Sequence, residues 1–361
     1  TRDDQIKWDF YIGPVFAEPL LDGQRVFVGT ADGVFFCLDV AGPWRTQRFH
    51  VTDRGRISWQ FKANGAFNSA AINDDIHIYV GANDGCIYCL DKVSGHLVWQ
   101  TDIGETEPRS FKLFSKPALA NGRLYIGSAT RYLYCLDAAT GQILWSFPMS
   151  DWVRAQPQVC NNRVYVVSMD GTLSCLLDKG ETANILWAMR VGMHPVYADL
   201  VHAEGRLLVS SSDLRLWCLD EDGHLLWHTR LMEEATIGNR TLLADEMGGG
   251  GWYQSKPTAA EGKVFIGTPS RFVFALDHRS GKELWRFELG AAVSGAPVYA
   301  NNKVFVGQQG GEEYFYCLNA QTGYPIWKQA VGWVWSSATV YKGKVIFGGV
   351  DGYISCLEEE T

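Results

Sequence analysis

Apolar residues along this chain fall in short, nearly unbroken runs separated by Gly, Asn and Asp, and nowhere recur at the spacing of a helix face. Runs of this length, rich in Val, Ile, Tyr and Phe, predict β-strands. Their unbroken rather than alternating apolarity predicts sheets covered on both faces. One stretch shows the unit. Residues 115–119, 123–128, 132–137 and 143–147 read as four successive strands, with turns at Asn121-Gly122 and Thr140-Gly141. No segment predicts a helix, so the expected class is all-β.

The unit recurs. Runs ending in Trp lie at Trp8, Trp59, Trp99, Trp145, Trp187, Trp227, Trp285 and Trp327, at a mean period of about 45 residues. A small residue followed by Leu forms a second series of eight, at Cys37, Cys89, Cys135, Cys175, Cys218, Ala275, Cys317 and Cys356. A period of roughly 40 to 50 residues with four short strands per unit is the mark of a β-propeller. The first Trp run has no strands before it, and the last unit, from Val334 to Leu357, has no Trp strand after it. Residues 4 to 11 are therefore expected to supply the outer strand of the final blade, which removes an open sheet edge. The expectation is one eight-bladed propeller domain over residues 1–361, although the length alone would suit two or three ordinary domains.

Composition narrows the partners. Lys and Arg number 32 against 40 Asp and Glu, a net charge of -8 that disfavours nucleic acid and anionic membrane surfaces. No apolar stretch is long enough to span a bilayer, so no membrane insertion is expected.

The stretches Cys89 to Trp99, Cys135 to Trp145, Ala275 to Trp285 and Cys317 to Trp327 each set a small residue, an Asp or Asn, a Ser-Gly or Thr-Gly turn and a Trp at one spacing. Cys218 to Trp227 is one residue short, and the units from Cys37 and Cys175 carry insertions. This pattern resembles the tryptophan-docking repeat of quinoprotein-like (PQQ-like repeat) propellers, over essentially the whole chain. The resemblance implies the eight-bladed fold. It is much less specific for activity, because quinone-dependent dehydrogenases and cofactor-free propellers share the repeat. The cofactor-free kind includes the outer-membrane-assembly lipoprotein. The alcohol dehydrogenases of this fold carry an adjacent Cys-Cys pair over the quinone. This chain has no such pair, and their calcium ligands and catalytic Asp find no local match. The expected resemblance is to the assembly lipoprotein, and no cofactor is expected. The family points to a location outside the cytoplasm, whereas an odd set of nine cysteines suits a reducing one.

Isolated motifs carry little chemistry. Cys86 and Cys89 read as C-x-x-C, but residues three apart on a strand point to opposite faces. Seven cysteines occupy the repeat position of Ala275 and read as small core residues; Cys160 has no partner at a motif spacing. His224 and His228 flank a motif Trp and read as exposed. No metal site is expected. The glycines 248–251 lack the Lys-Ser/Thr of a phosphate loop. They belong to the longest insertion, 232–256, a candidate binding loop; a second insertion, 40–56 with Trp44, is a candidate domain contact.

Alignment of the eight units gives the most specific expectation. Before the common Pro position lies a row of small residues: Ala17, Ser69, Ser115, Ala155, Ala198, Ser255, Gly295 and Ser336. Its neighbours are diverse. The following row is Glu18, Ala70, Lys116, Gln156, Asp199, Lys256, Ala296 and Ser337; the preceding row is Phe16, Asn68, Phe114, Arg154, Tyr197, Gln254, Ser294 and Trp335. Strand alternation puts the small row between crowded inner strands and the diverse rows on the axial channel. Arg109, Trp152, His194, Trp252, Tyr253 and Trp333 are expected around its mouth.

The expected function is non-catalytic binding or scaffolding. The channel mouth would take a polar ligand, such as an acidic carbohydrate, or a protein partner, through Glu18, Lys116, Trp152, Arg154, Gln156, Tyr197, Asp199, Gln254, Lys256 and Trp335. The alternative is a carbohydrate-active enzyme. A polysaccharide lyase would use Arg154 against the uronate with His194 or Tyr197 as base; a glycoside hydrolase would use Glu18 and Asp199 as its acid pair.

Overall fold

The computed structural model describes residues 6–39, 56–103, 115–192, 196, 199–231, 236–237, 240–241, 255–310 and 314–359. Eight four-stranded antiparallel sheets follow one another along the chain, with no helix among the described residues. They are the eight expected blades. The third comprises Ala118–Ala120, Arg123–Gly127, Tyr132–Asp137 and Ile143–Pro148. Its innermost strand is shorter than the sequence suggests and starts three residues later. The reason is Pro117, which has no amide hydrogen to place in a ladder. The extended segment before it, Ser115–Pro117, is thereby left free to line the axis.

The second and third strands of each blade are the core. In the third blade Leu124, Tyr125, Ile126, Leu133, Cys135 and Leu136 are all 1% exposed or less. Every hydrophobic cluster joins two neighbouring blades, as Tyr79 and Cys89 do with Leu124 and Leu136. Inter-blade packing is thus the principal apolar burial of the fold.

The two repeat series meet across the third and fourth strands. Cys37 pairs with Trp59, Cys89 with Trp99, Cys135 with Trp145, Cys175 with Trp187, Cys218 with Trp227, Ala275 with Trp285 and Cys317 with Trp327. A bulge follows each pair, so two outer-strand residues oppose one Leu. In five blades the bulged residue turns to solvent, Val98, Leu186, Leu226, Leu284 and Ile326 all being more than 40% exposed, whereas Leu144 of the third blade is half-buried against the core. Each indole in turn reaches the next blade. Trp99 Nε1 donates to the Ala138 carbonyl at 3.1 Å, Trp187 to that of Glu221 at 3.2 Å and Trp285 to that of Ala320 at 3.1 Å. The turn glycine lies under the preceding indole. A Cβ on Gly141 would sit 2.5 Å from Trp99 Cε3, and its φ of +74° is one that glycine adopts without strain.

Closure is as expected. Ile6–Tyr11 pairs antiparallel with Tyr353–Glu358 as the fourth strand of the last blade. Between blades five and six, Thr236–Ile237 and Arg240–Thr241 form a small separate hairpin; most of that insertion, like residues 40–55 of the first, lies outside the described residues.

Candidate functional site

The small row sits where alternation demands. Ala17, Ser69, Ser115, Ala155, Ser255 and Ser336 are all 5% exposed or less. The Ser115 hydroxyl donates to the Ala155 carbonyl and that of Ser255 to the Gly295 carbonyl, both at 3.0 Å, one blade to the next. At Gly295 even a methyl group is excluded: a Cβ there would lie 2.6 Å from the Ser336 carbonyl oxygen. Side chains at this ring therefore have to be small or absent.

Turning that row inward between blades aims its neighbours at the axis. A cavity of about 210 Å³ is bounded by residues of all eight blades, among them Phe16, Glu18, Asn68, Lys116, Arg154, Asp199, Lys256, Ser294 and Trp335. A second, of about 340 Å³, continues along the inner strands past Thr258, Val298 and Thr339. Glu18, Lys256, Ala296 and Ser337 border both and mark the boundary between the two chambers.

The charges at this level are engaged with one another. Lys116 Nζ lies 3.6 Å from Glu18 Oε2, across blade two, and Lys256 Nζ lies 3.8 Å from Asp199 Oδ2. Asp199 also accepts the Gln156 backbone N–H at 2.7 Å, while the Gln156 amide donates to the Pro117 carbonyl at 3.0 Å. Gln156 thus ties blades three, four and five together rather than offering its amide to the cavity. Glu18 and Asp199, the acid pair of the hydrolase alternative, each face a lysine. At the wall, the Phe16 and Trp335 rings meet edge to face at 5.5 Å. The buried Asn68 amide oxygen has no hydrogen-bond partner among the described residues.

Trp152 stands apart from the cavity, 41% exposed on the loops that join blades. Trp333 occupies the equivalent place four blades away and is 46% exposed. Their backbones hold equivalent hydrogen bonds, the Trp152 carbonyl accepting from Met169 N and that of Trp333 from Val350 N. Phe114, His194, Tyr197, Ala198, Gln254, Arg109, Trp252, Tyr253, Trp44 and the glycines 248–251 lie outside the described residues.

The opposite face carries the tight turns. Asp178 is buried there, accepting from Tyr125 Oη and Arg123 Nη1 at 2.6 Å, Gly180 N at 2.8 Å and Trp145 Nε1 at 3.1 Å. Burial alone would raise its pKa, but these hydrogen bonds together hold it below the ordinary carboxylate range. Burial likewise pushes the Cys37, Cys175 and Cys218 thiols up to about 11 and those of Cys89, Cys135 and Cys317 to about 12. His224 is exposed beside Asp220 at 2.9 Å, and His228 packs on Trp217. On this face too, Cys160, His202 and Glu221 come together from two blades, a grouping that no sequence spacing announced.

Solved structures with this fold are diverse. BamB from Moraxella catarrhalis matches with a TM-score of 0.74 at 16% identity, over 98% of this chain and 97% of that one. The quinohemoprotein alcohol dehydrogenase ADHIIG from Pseudomonas putida HK5 matches with a TM-score of 0.78 at 14% identity, over 99% of this chain and 76% of that one. Sqt1 from Saccharomyces cerevisiae matches at 0.78 and 14%, over 99% of both chains. At such identities the likeness is one of fold. A curated lanthanide-dependent methanol dehydrogenase of Methylacidiphilum fumariolicum (strain SolV) is 41% identical over 58 residues, 15% of this chain and only 10% of that relative's length. The family model described as outer membrane protein assembly factor BamB matches residues 13–110, 83–193 and 270–361. With well over half of its length matched, this chain belongs to that family of PQQ-like-repeat propellers.

Proposed function

We propose that residues 1–361 act as one propeller unit, a non-catalytic scaffold that binds a protein partner on its inter-blade-loop face, as the name of its family suggests. The observation that carries this reading is the placement of Trp152 and Trp333. Two half-exposed indoles sit at equivalent positions on opposite sides of the ring, around an axial cavity. Indoles are among the strongest anchors of protein interfaces. The ionic groups inside the mouth speak for the same reading. Lys116 with Glu18, and Lys256 with Asp199, leave little uncompensated charge for an acidic sugar.

The test places a photo-crosslinking amino acid at position 152 or 333, with a control at the exposed Val93 on the opposite face, in cells of the native organism. A single protein crosslinked from both loop-face positions and not from the control supports the scaffold. Purified, it should bind the Trp152→Ala, Trp333→Ala double variant at least about tenfold more weakly. An acidic oligosaccharide that raises the melting temperature of the wild type, but not of an Arg154→Ala, Lys256→Ala variant, would move the function into the channel. No crosslink from either position would also count against the proposal.

A further inference from the structure

The geometry points to a Zn²⁺ site between blades four and five, held by Cys160, His202 and Glu221. One donor atom from each lies within 4.8 Å of the other two, and all three side chains are partly buried. Thiolate, imidazole and carboxylate are the three donor types that zinc takes, and three protein donors leave a fourth position for water. Tetrahedral zinc sets its donors roughly 3.3 to 3.6 Å apart, within reach of this arrangement. His202 Nε2 and Glu221 Oε1, now hydrogen-bonded at 2.7 Å, would open slightly to admit the ion.

Cys160 and His202 depart from the commonest residue types at their places in the repeat. The position of Cys160, at the end of an innermost strand, is alanine in four other blades: Ala120, Ala203, Ala260 and Ala300. Seven of the nine cysteines are buried in the core and unavailable to a metal; Cys160 is one of two that are not. Glu221 takes the turn position of Lys92, Ala138, His278, Ala320 and Glu359, whose backbone carbonyls accept the preceding indoles and whose side chains are left free to vary. His202 replaces the apolar residues seen at Leu119 and Val159.

The surroundings hold the donors in place, as the outer partners of metal sites do. The His202 ring stacks on Tyr165, with centroids 5.7 Å apart and planes 20° from parallel. The Glu221 carbonyl accepts from Trp187 Nε1 at 3.2 Å and Arg163 Nη1 at 3.1 Å, which anchors its backbone. The Arg163 charge is itself met by Asp222 at 2.8 Å and does not oppose a cation. Bound there, zinc would add a metal clip to the hydrogen bonds and the ion pair that already join blade four to blade five.

Cobalt(II) is the probe, since it takes zinc sites and reports a thiolate ligand by a charge-transfer band. The wild type should bind one equivalent with that band, and one equivalent of Zn²⁺ should bleach it. Cys160→Ser should lose the band; His202→Gln and Glu221→Gln should each weaken binding by about tenfold or more. Zinc should also raise the wild-type melting temperature and protect Cys160 from alkylation, a readout that needs no variant. Absence of the band in the wild type, the same band in Cys160→Ser, or undiminished alkylation of Cys160 under zinc would overturn the site.

Discussion

Trp8 lies directly across from Cys356, the same pairing that joins Cys135 to Trp145, although here the partners are 348 residues apart. The bulge recurs as well: Ile6 opposes Leu357 and Trp8 opposes Cys356, with the residue between them unpaired. The first strand therefore completes the last blade in the geometry of every other blade. Deleting residues 1–11 should leave Tyr353–Glu358 as an open edge. The expected result is a melting temperature lower by more than about 5 °C and a shift to larger species in size exclusion. An unchanged, monomeric melt would show that closure contributes little.

Asp178 gathers four donors in a buried place, and its removal leaves Arg123 and Tyr125 without their acceptor. Asp178→Ala should cost about 2 to 4 kcal/mol in urea denaturation. The pH dependence has a definite sign. A carboxylate whose folded pKa is depressed contributes stability that is complete above its unfolded value near 4 and is lost as pH falls through the folded one. The wild type should therefore lose stability below about pH 4 more steeply than Asp178→Asn. Parallel curves for the two would refute the assignment.

Two turn glycines separate backbone strain from contact. Gly122 and Gly141 have φ of +71° and +74°, yet a Cβ on Gly122 meets nothing within 4 Å, whereas one on Gly141 meets the Trp99 ring. Gly122→Ala should cost about 1 kcal/mol, from the left-handed backbone alone. Gly141→Ala should cost about 2 kcal/mol more, because the indole and its hydrogen bond to Ala138 must shift. Equal costs in chemical denaturation would show that the indole seat is soft.

Thiol reactivity should divide the cysteines sharply. Seven are buried, and burial keeps the six whose pKa is raised protonated at neutral pH. Metal-free native protein should alkylate at Cys160 and Cys86 within minutes and at all nine only in denaturant, as read by mass spectrometry. Modification of Cys135 at a comparable rate in native buffer would contradict the packing.

Much of this molecule was legible before any coordinate. The period of Trp and small-residue-Leu pairs determined eight blades and their closure, because each blade solves the same local packing problem with the same residues. The small row of Ala17, Ser69, Ser115 and their equivalents was readable for the same reason, since a ring of crowded inner strands admits nothing larger. Tertiary structure alone decided which side chains answer one another. Lys116 meets Glu18 and Lys256 meets Asp199 because the ring closes around an axis. Gln156 bridges blades because an amide can reach both Pro117 and Asp199. Cys160, His202 and Glu221 converge because blade four stacks on blade five. A repeat specifies the contacts that recur at its own spacing; contacts between non-equivalent positions of neighbouring blades depend on the stacking, and no linear spacing encodes them.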